Sequence, residues 1–139
     1  MLSGKKTVSV KIKSCIDDVN REWECTGEYA VDGDTRLLAY TDYIGNDITK
    51  TGMFIEADAL LLHRTGGINA DMLFSLGKDT VVNYEAFGLR TTYVLHTSLY
   101  RIYELENGLW VHLEYSLSDT EGNIENTSVQ DFYINDIDS

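Results

Sequence analysis

Arg64 ends an intensely apolar run, Leu60-Leu61-Leu62-His63-Arg64, and Gly66-Gly67 follow shortly after it. A guanidinium turned inward from such a segment could hold a carboxylate through two parallel hydrogen bonds, the arrangement in which Arg binds anions best. The commoner fate is a strand-end Arg paired with an acidic neighbour, because buried Arg is rare without a partner. Tyr84, Tyr93, Tyr100 and Tyr115 could line a cavity with hydroxyls aimed at a ligand, although Tyr also serves as ordinary core and favours strands. Arg64 and these four tyrosines form the candidate ligand-binding set. A second set, Leu99, Tyr103, Leu105 and Trp110, falls on one outward face and is a candidate interface, since exposed apolar clusters often mark contacts between proteins.

Chemistry of other kinds finds little support. There is no Gly-x-Ser-x-Gly elbow, no phosphate-cradling Gly loop before a helix and no His-Glu-x-x-His. Glu85 near His63 or His96 could compose an acid-base pair, but such a pair can be imagined in most sequences of this size. His63, His96 and His112 lack the spacing that puts two ligands on one strand or helix face, so no metal is expected. No cofactor is expected either, and the chain reads as a non-enzyme. Cys15 and Cys25 fit neither a redox pair nor a zinc set, and as free thiols they point to a reducing cytoplasm.

The 139 residues carry 23 acidic and 11 basic side chains, a formal charge of -12, which opposes binding to nucleic acid or an anionic membrane. Lys5, Lys6, Lys11 and Lys13 form a small solvated basic edge of the kind that discourages sheet-to-sheet aggregation. The N-terminal stretch alternates polar and apolar residues, unlike a secretion signal. No run approaches the ~18 apolar residues of a membrane helix. Length and composition fit one globular domain, residues 1–139, rich in strands.

The elements that must position these side chains read as strands throughout. Val8, Val10 and Ile12 alternate with polar residues over Lys5–Ser14, a period of two. A polar connection, Ile16 to Glu22, follows; residues 15–23 could instead make about two helical turns. Runs ending at Asp32 and resuming at Thr35 flank an Asp-Gly turn, residues 45–52 read as a loop, and Ala57-Asp58 joins two further strands. Gly66-Gly67 and Gly77-Lys78 turn the chain again.

Leu89–Leu105 is long for one strand, and its apolar parity changes from odd to even, which predicts a bulge near Thr97-Ser98. Asn107-Gly108 reads as a two-residue hairpin turn. That turn would set Tyr100 opposite Tyr115, Ile102 opposite Leu113 and Arg101 opposite Glu114. Asp119–Asn123 turns into a final strand. Nine or ten strands with one apolar face each hide those faces best in a closed barrel, with a flattened sandwich as the alternative.

The order His63-Arg64-Thr65-Gly66, Met72-Leu73-Phe74, Gly77, Tyr84, Phe87-Gly88 and Thr97 resembles the YwiB-like family of small bacterial cytoplasmic proteins. Where that family has a Thr-Pro-aromatic-Gly turn, this chain has the shorter Ala86-Phe87-Gly88. The resemblance implies an all-β, antiparallel, meandering barrel of the calycin or lipocalin type, with no biochemical activity attached to the family. Two readings follow. One is a binding module that takes a small, partly apolar ligand inside the barrel. The other is an interaction module with a filled barrel, working through its outer face with another protein or as a homodimer.

Overall fold

The computed structural model describes residues 4–44 and 47–137, and every regular element among them is a β-strand. The ten strands are β1 (Lys6–Ile16), β2 (Val19–Asp32), β3 (Thr35–Ile44), β4 (Asp47–Ile55), β5 (Ala59–Gly66), β6 (Ile68–Ser75), β7 (Asp79–Ala86), β8 (Leu89–Leu105), β9 (Gly108–Ser118) and β10 (Ile124–Asp136). Each pairs antiparallel with the next, and β1 pairs with β10, so the meander closes on itself. Closure leaves the sheet no free edge, which an open ten-stranded meander would have to protect.

Inward positions alternate along each strand as period-two patterning requires. Val8, Val10, Ile12 and Ser14 face in from β1, Leu109, Val111 and Leu113 from β9, and Phe132 and Ile134 from β10, all nearly inaccessible to solvent. With Leu38, Met53, Ile55, Leu60, Leu62 and Phe74 they make one continuous core. The parity change in β8 is resolved as its pattern predicts. Leu95 and Thr97 point inward before an irregularity between Thr97 and Leu99, and Tyr100 points inward after it. The extra residue is Ser98, whose hydroxyl donates to the Glu114 carbonyl at 3.1 Å.

Three local expectations are corrected. The segment from Ile16 to Glu22 is neither a helix nor a long connection. Ile16 pairs with Val19 across a two-residue turn, Asp17-Asp18, at φ 47° and 70°. Two left-handed residues in succession match the twist of a hairpin, and Asp tolerates that conformation better than most side chains. Of residues 45–52, read as loop, 47–52 belong to β4, and 45–46 lie outside the described residues.

The third correction concerns the β8–β9 register. The turn is Glu106-Asn107, so Leu105 pairs with Gly108, Tyr100 with Leu113, Ile102 with Val111 and Arg101 with His112. This is a slip of two residues, which keeps every side chain on its expected face but changes its partner. Gly108 is needed for approach and not for φ. A Cβ there would lie 2.1 Å from the Ile134 carbonyl oxygen of β10.

The two ends of the barrel differ. At one, the Tyr100 hydroxyl donates to the Glu56 carbonyl at 2.6 Å, Lys6 pairs with Asp136 at 2.7 Å, and Arg36 pairs with Glu104. These contacts plug it. The other end carries the turns Asp17-Asp18, Gly66-Gly67 and Phe87-Gly88, and the apolar residues around it are exposed, among them Val19, Tyr43, Phe87 and Leu89. Near this end β6 and β7 pair only at Ile68–Ala86 and Asn69–Glu85.

Candidate functional site

The barrel encloses a cavity of about 590 Å³ that reaches the exposed Tyr43 and Ile16 at the open end, within the ~300–1,000 Å³ typical of small-molecule sites. Its deep wall is apolar: Leu62, Met72, Phe74, Leu113 and Phe132. Polar side chains occupy inward positions nearer the mouth. The buried Gln130 amide donates to the Ser14 hydroxyl at 2.8 Å, bridging β10 and β1. Asp42 of β3, 8% exposed, accepts from the Trp23 indole N–H at 3.0 Å.

Arg64 lies on the inward face of β5. Thr51 of β4 stands opposite it, and Tyr40 of β3 stands opposite Thr51. Its Nε is buried without a hydrogen-bond partner among the described residues. Among the described residues no carboxylate forms an ion pair with Arg64, although the chain has 23 of them. The expected alternative, a surface ion pair, is therefore not what the structure contains. Arg64 also borders a hollow of about 500 Å³ at the thin β6–β7 seam.

The phenols around Arg64 are electrostatically coupled to it. Burial raises Tyr40 far above the ordinary phenol value, Arg64 opposes that rise, and the Asp42 charge reinforces it. Burial likewise raises Tyr115, with Ser128 and Arg64 acting the other way. Both hydroxyls stay neutral at physiological pH. Cys25, on the cavity wall, is pushed up to about 11 by burial and then by the charges of Asp42 and Glu24, so it is a thiol and not a nucleophile.

Of the tyrosines expected to line a cavity, Tyr84, Tyr93 and Tyr115 do so. Tyr84 and Tyr93 meet edge to face at 6.2 Å, and Tyr115 packs against Phe74 at 4.9 Å. Tyr100 does not line it; placed beyond the bulge, its ring seals the closed end. Asp42, Trp23, Ser14 and Gln130 were not singled out from the sequence. The signal for them was parity, since Ser14 continues the inward series of Val8, Val10 and Ile12, and Asp42 that of Leu38 and Tyr40.

The imagined acid-base pair is not assembled. Glu85 bonds Arg90 at 2.7 Å, His96 meets Asp79 at 2.7 Å, and His63 meets Asp71, all on exposed surface. Cys15 and Cys25 sit on adjacent strands at positions of opposite parity, so they project to opposite faces of the sheet.

On the outer face Tyr103 stacks on Trp110 at 4.5 Å and Trp110 on Tyr133 at 5.6 Å, a ladder across β8, β9 and β10. Tyr103 and Leu105 are exposed, whereas Leu99 and Trp110 are half-buried. Beside the ladder His112 meets Asp131 through Nδ1 at 2.6 Å and Glu114 through Nε2 at 2.7 Å. Burial works against its charged form, but the bonds and charges of Glu114 and Asp131 outweigh it and raise its pKa above 6.5. A raised folded-state value means the native state holds this proton longer than the unfolded chain does. The stabilisation is complete below the unfolded value and is lost as pH rises through the folded one. Urea midpoints should therefore fall as pH is raised from ~6.5 upward, and His112→Gln should flatten that slope.

These features define a class: a ten-stranded antiparallel barrel, plugged at one end, with an accessible cavity that is apolar below and charged near its mouth. Residues 7–130 match the family model described as a domain of unknown function, DUF1934. The chain belongs to that family. Among solved structures, the YwiB protein from Bacillus subtilis superposes with a TM-score of 0.83, over 97% of this chain and 94% of that chain, at 16% identity. The YwiB-like resemblance read from the motif order is thus borne out, and with it the fold. No curated protein matches the chain.

Proposed function

We propose that the protein binds one small, partly apolar organic anion inside the barrel, with Arg64 as the anchor for its carboxylate. One observation carries this reading: a guanidinium with a buried Nε faces a cavity, and among the described residues no carboxylate is paired with it. A ligand carboxylate would meet the half-buried guanidinium with two charge-assisted hydrogen bonds. Tyr115 and Tyr84 would flank the anion, while Leu62, Met72 and Phe74 would take the apolar part. A calycin-type carrier in a bacterial cytoplasm fits this arrangement, and the free thiols fit a reducing compartment. The reading is one of binding: the cavity wall sets Arg64 and the phenols of Tyr84 and Tyr115 beside an apolar surface.

The test is thermal unfolding with a panel of aryl and alkyl monocarboxylates. An acid at about 100 times its Kd should add ~2.7 kcal/mol of stability. In Arg64→Gln the same acid should bind about tenfold more weakly or worse, the value of a charge-assisted hydrogen bond. Equal stabilisation of both proteins would overturn the assignment of Arg64.

The aromatic ladder Tyr103-Trp110-Tyr133, with Leu105 beside it, supports a second reading as a contact surface for another copy. Light scattering should then show a dimer that Tyr103→Glu dissociates. A monomer across the accessible concentration range would remove this reading.

A further inference from the structure

Besides Arg64, the cavity wall carries a buried carboxylate that has no ion-pair partner among the described residues. Asp42 of β3 is more than nine-tenths buried, and its hydrogen bond comes from the neutral Trp23 indole at 3.0 Å. Among the described residues no Lys, Arg or His forms an ion pair with it. Arg21, the other cation on the cavity lining, is stacked over the Trp23 ring at 5.4 Å. Asp42 and Arg64 both line the same void.

Their separation follows from the register. Tyr40 pairs with Thr51 and Thr51 with Arg64, so Arg64 is two strands from Tyr40; Asp42 is two residues along from Tyr40 on the same face. Strand spacing and rise put the two Cα atoms roughly 12 Å apart. Among the described residues no ion pair joins Asp42 to Arg64, so the two groups stand apart on the wall of one void.

We infer that the ligand is a zwitterion, an apolar amino acid or short peptide, with its carboxylate on Arg64 and its ammonium on Asp42. This rests on the binding reading above and narrows it. A plain carboxylate would neutralise Arg64 while bringing a second negative charge toward Asp42. A plain amine would do the converse. Only a molecule carrying both charges pairs with both groups, and the wall of Leu62, Met72 and Phe74 selects an apolar side chain.

Calorimetric titration of the intact protein with L-phenylalanine, the dipeptide Leu-Phe, phenylpropionate and phenethylamine tests this, in wild type, Asp42→Asn and Arg64→Gln. In wild type a zwitterion should bind about tenfold or more tightly than either single-charge analogue. The two zwitterions separate a free amino acid from a peptide as the source of the charges. In Asp42→Asn, with melting checked to confirm folding, that preference over phenylpropionate should disappear. Phenylpropionate binding wild type as tightly as both zwitterions would overturn the zwitterion while leaving the Arg64 carboxylate site standing. Absence of binding by all four probes would overturn the inference, and the monocarboxylate panel would then decide the binding reading separately. Equal loss of every probe in Asp42→Asn would also overturn it, because that pattern marks a structural role.

Discussion

Truncation of Phe74 to alanine should lower the unfolding free energy by about 3–5 kcal/mol, the range for a fully enclosed aromatic side chain. The ring is 1% exposed, packs edge-on against Tyr115 at 4.9 Å and forms part of the deep cavity wall. Its removal enlarges a cavity that already exists, so neighbouring side chains cannot collapse into the space. Leu73, adjacent in sequence but 41% exposed on the outer face, is the control, and Leu73→Ala should cost about 1 kcal/mol or less. Urea unfolding of the two variants reads the difference directly. Similar losses in both would mean that the inward and outward faces of β6 have been misassigned.

The second large effect is expected at Gly66. It sits at φ +117°, and a Cβ there would lie 2.1 Å from the Ile48 carbonyl oxygen. That oxygen accepts the Gly67 N–H at 3.0 Å, a bond that helps hold the β5–β6 turn to β4. Alanine at Gly66 therefore combines backbone strain with a clash against backbone, and about 3 kcal/mol or more should be lost. Gly77, at φ +75° with nothing within 4 Å of its Cβ position, isolates the strain alone, and Gly77→Ala should cost about 1–2 kcal/mol. The gap between the two variants measures the close approach. Because Gly66 lies two residues from Arg64, its variant should also weaken anion binding, whereas the Gly77 variant should not.

Much of this architecture is legible in the residues, for reasons that differ by region. Period-two alternation is a local property, so Val8-Val10-Ile12 and the parity change across Thr97-Ser98 could be read without knowing any partner strand. Turn geometry is less local. Asn107-Gly108 has the composition of a hairpin turn, yet the glycine is required by β10, a strand far along the chain; the turn moves back by one residue and the pairing slips by two. Asp17-Asp18 shows the reverse: two ordinary acidic residues adopt a conformation more typical of Asn-Gly, because strands already in register leave only two residues to reverse the chain.

The candidate site divides in the same way. Arg64 is visible as a cation ending an apolar run, but its lack of an ion pair among the described residues depends on where distant strands put their charges. Tyr100 resembles the other tyrosines in sequence, but its place late in β8 sets it near the plugged end, where the bulge turns its ring inward. Asp42 drew no notice because one acid among 23 is unremarked in a chain of this charge. Its significance comes from facing inward beside Trp23, a pairing across two strands. A polar residue at an inward position near the mouth end of a strand is the pattern that marks such a site.

The central claim is an accessible apolar cavity with an unpaired cation on its wall. Anilinonaphthalene sulfonate, an apolar anion that fluoresces when shielded from water, tests it most directly by titration into the native protein. The account predicts one saturable site per chain, weakened about tenfold or more in Arg64→Gln, in a variant that still unfolds cooperatively. No fluorescence gain in the native protein, or a gain that is identical in Arg64→Gln, would contradict it.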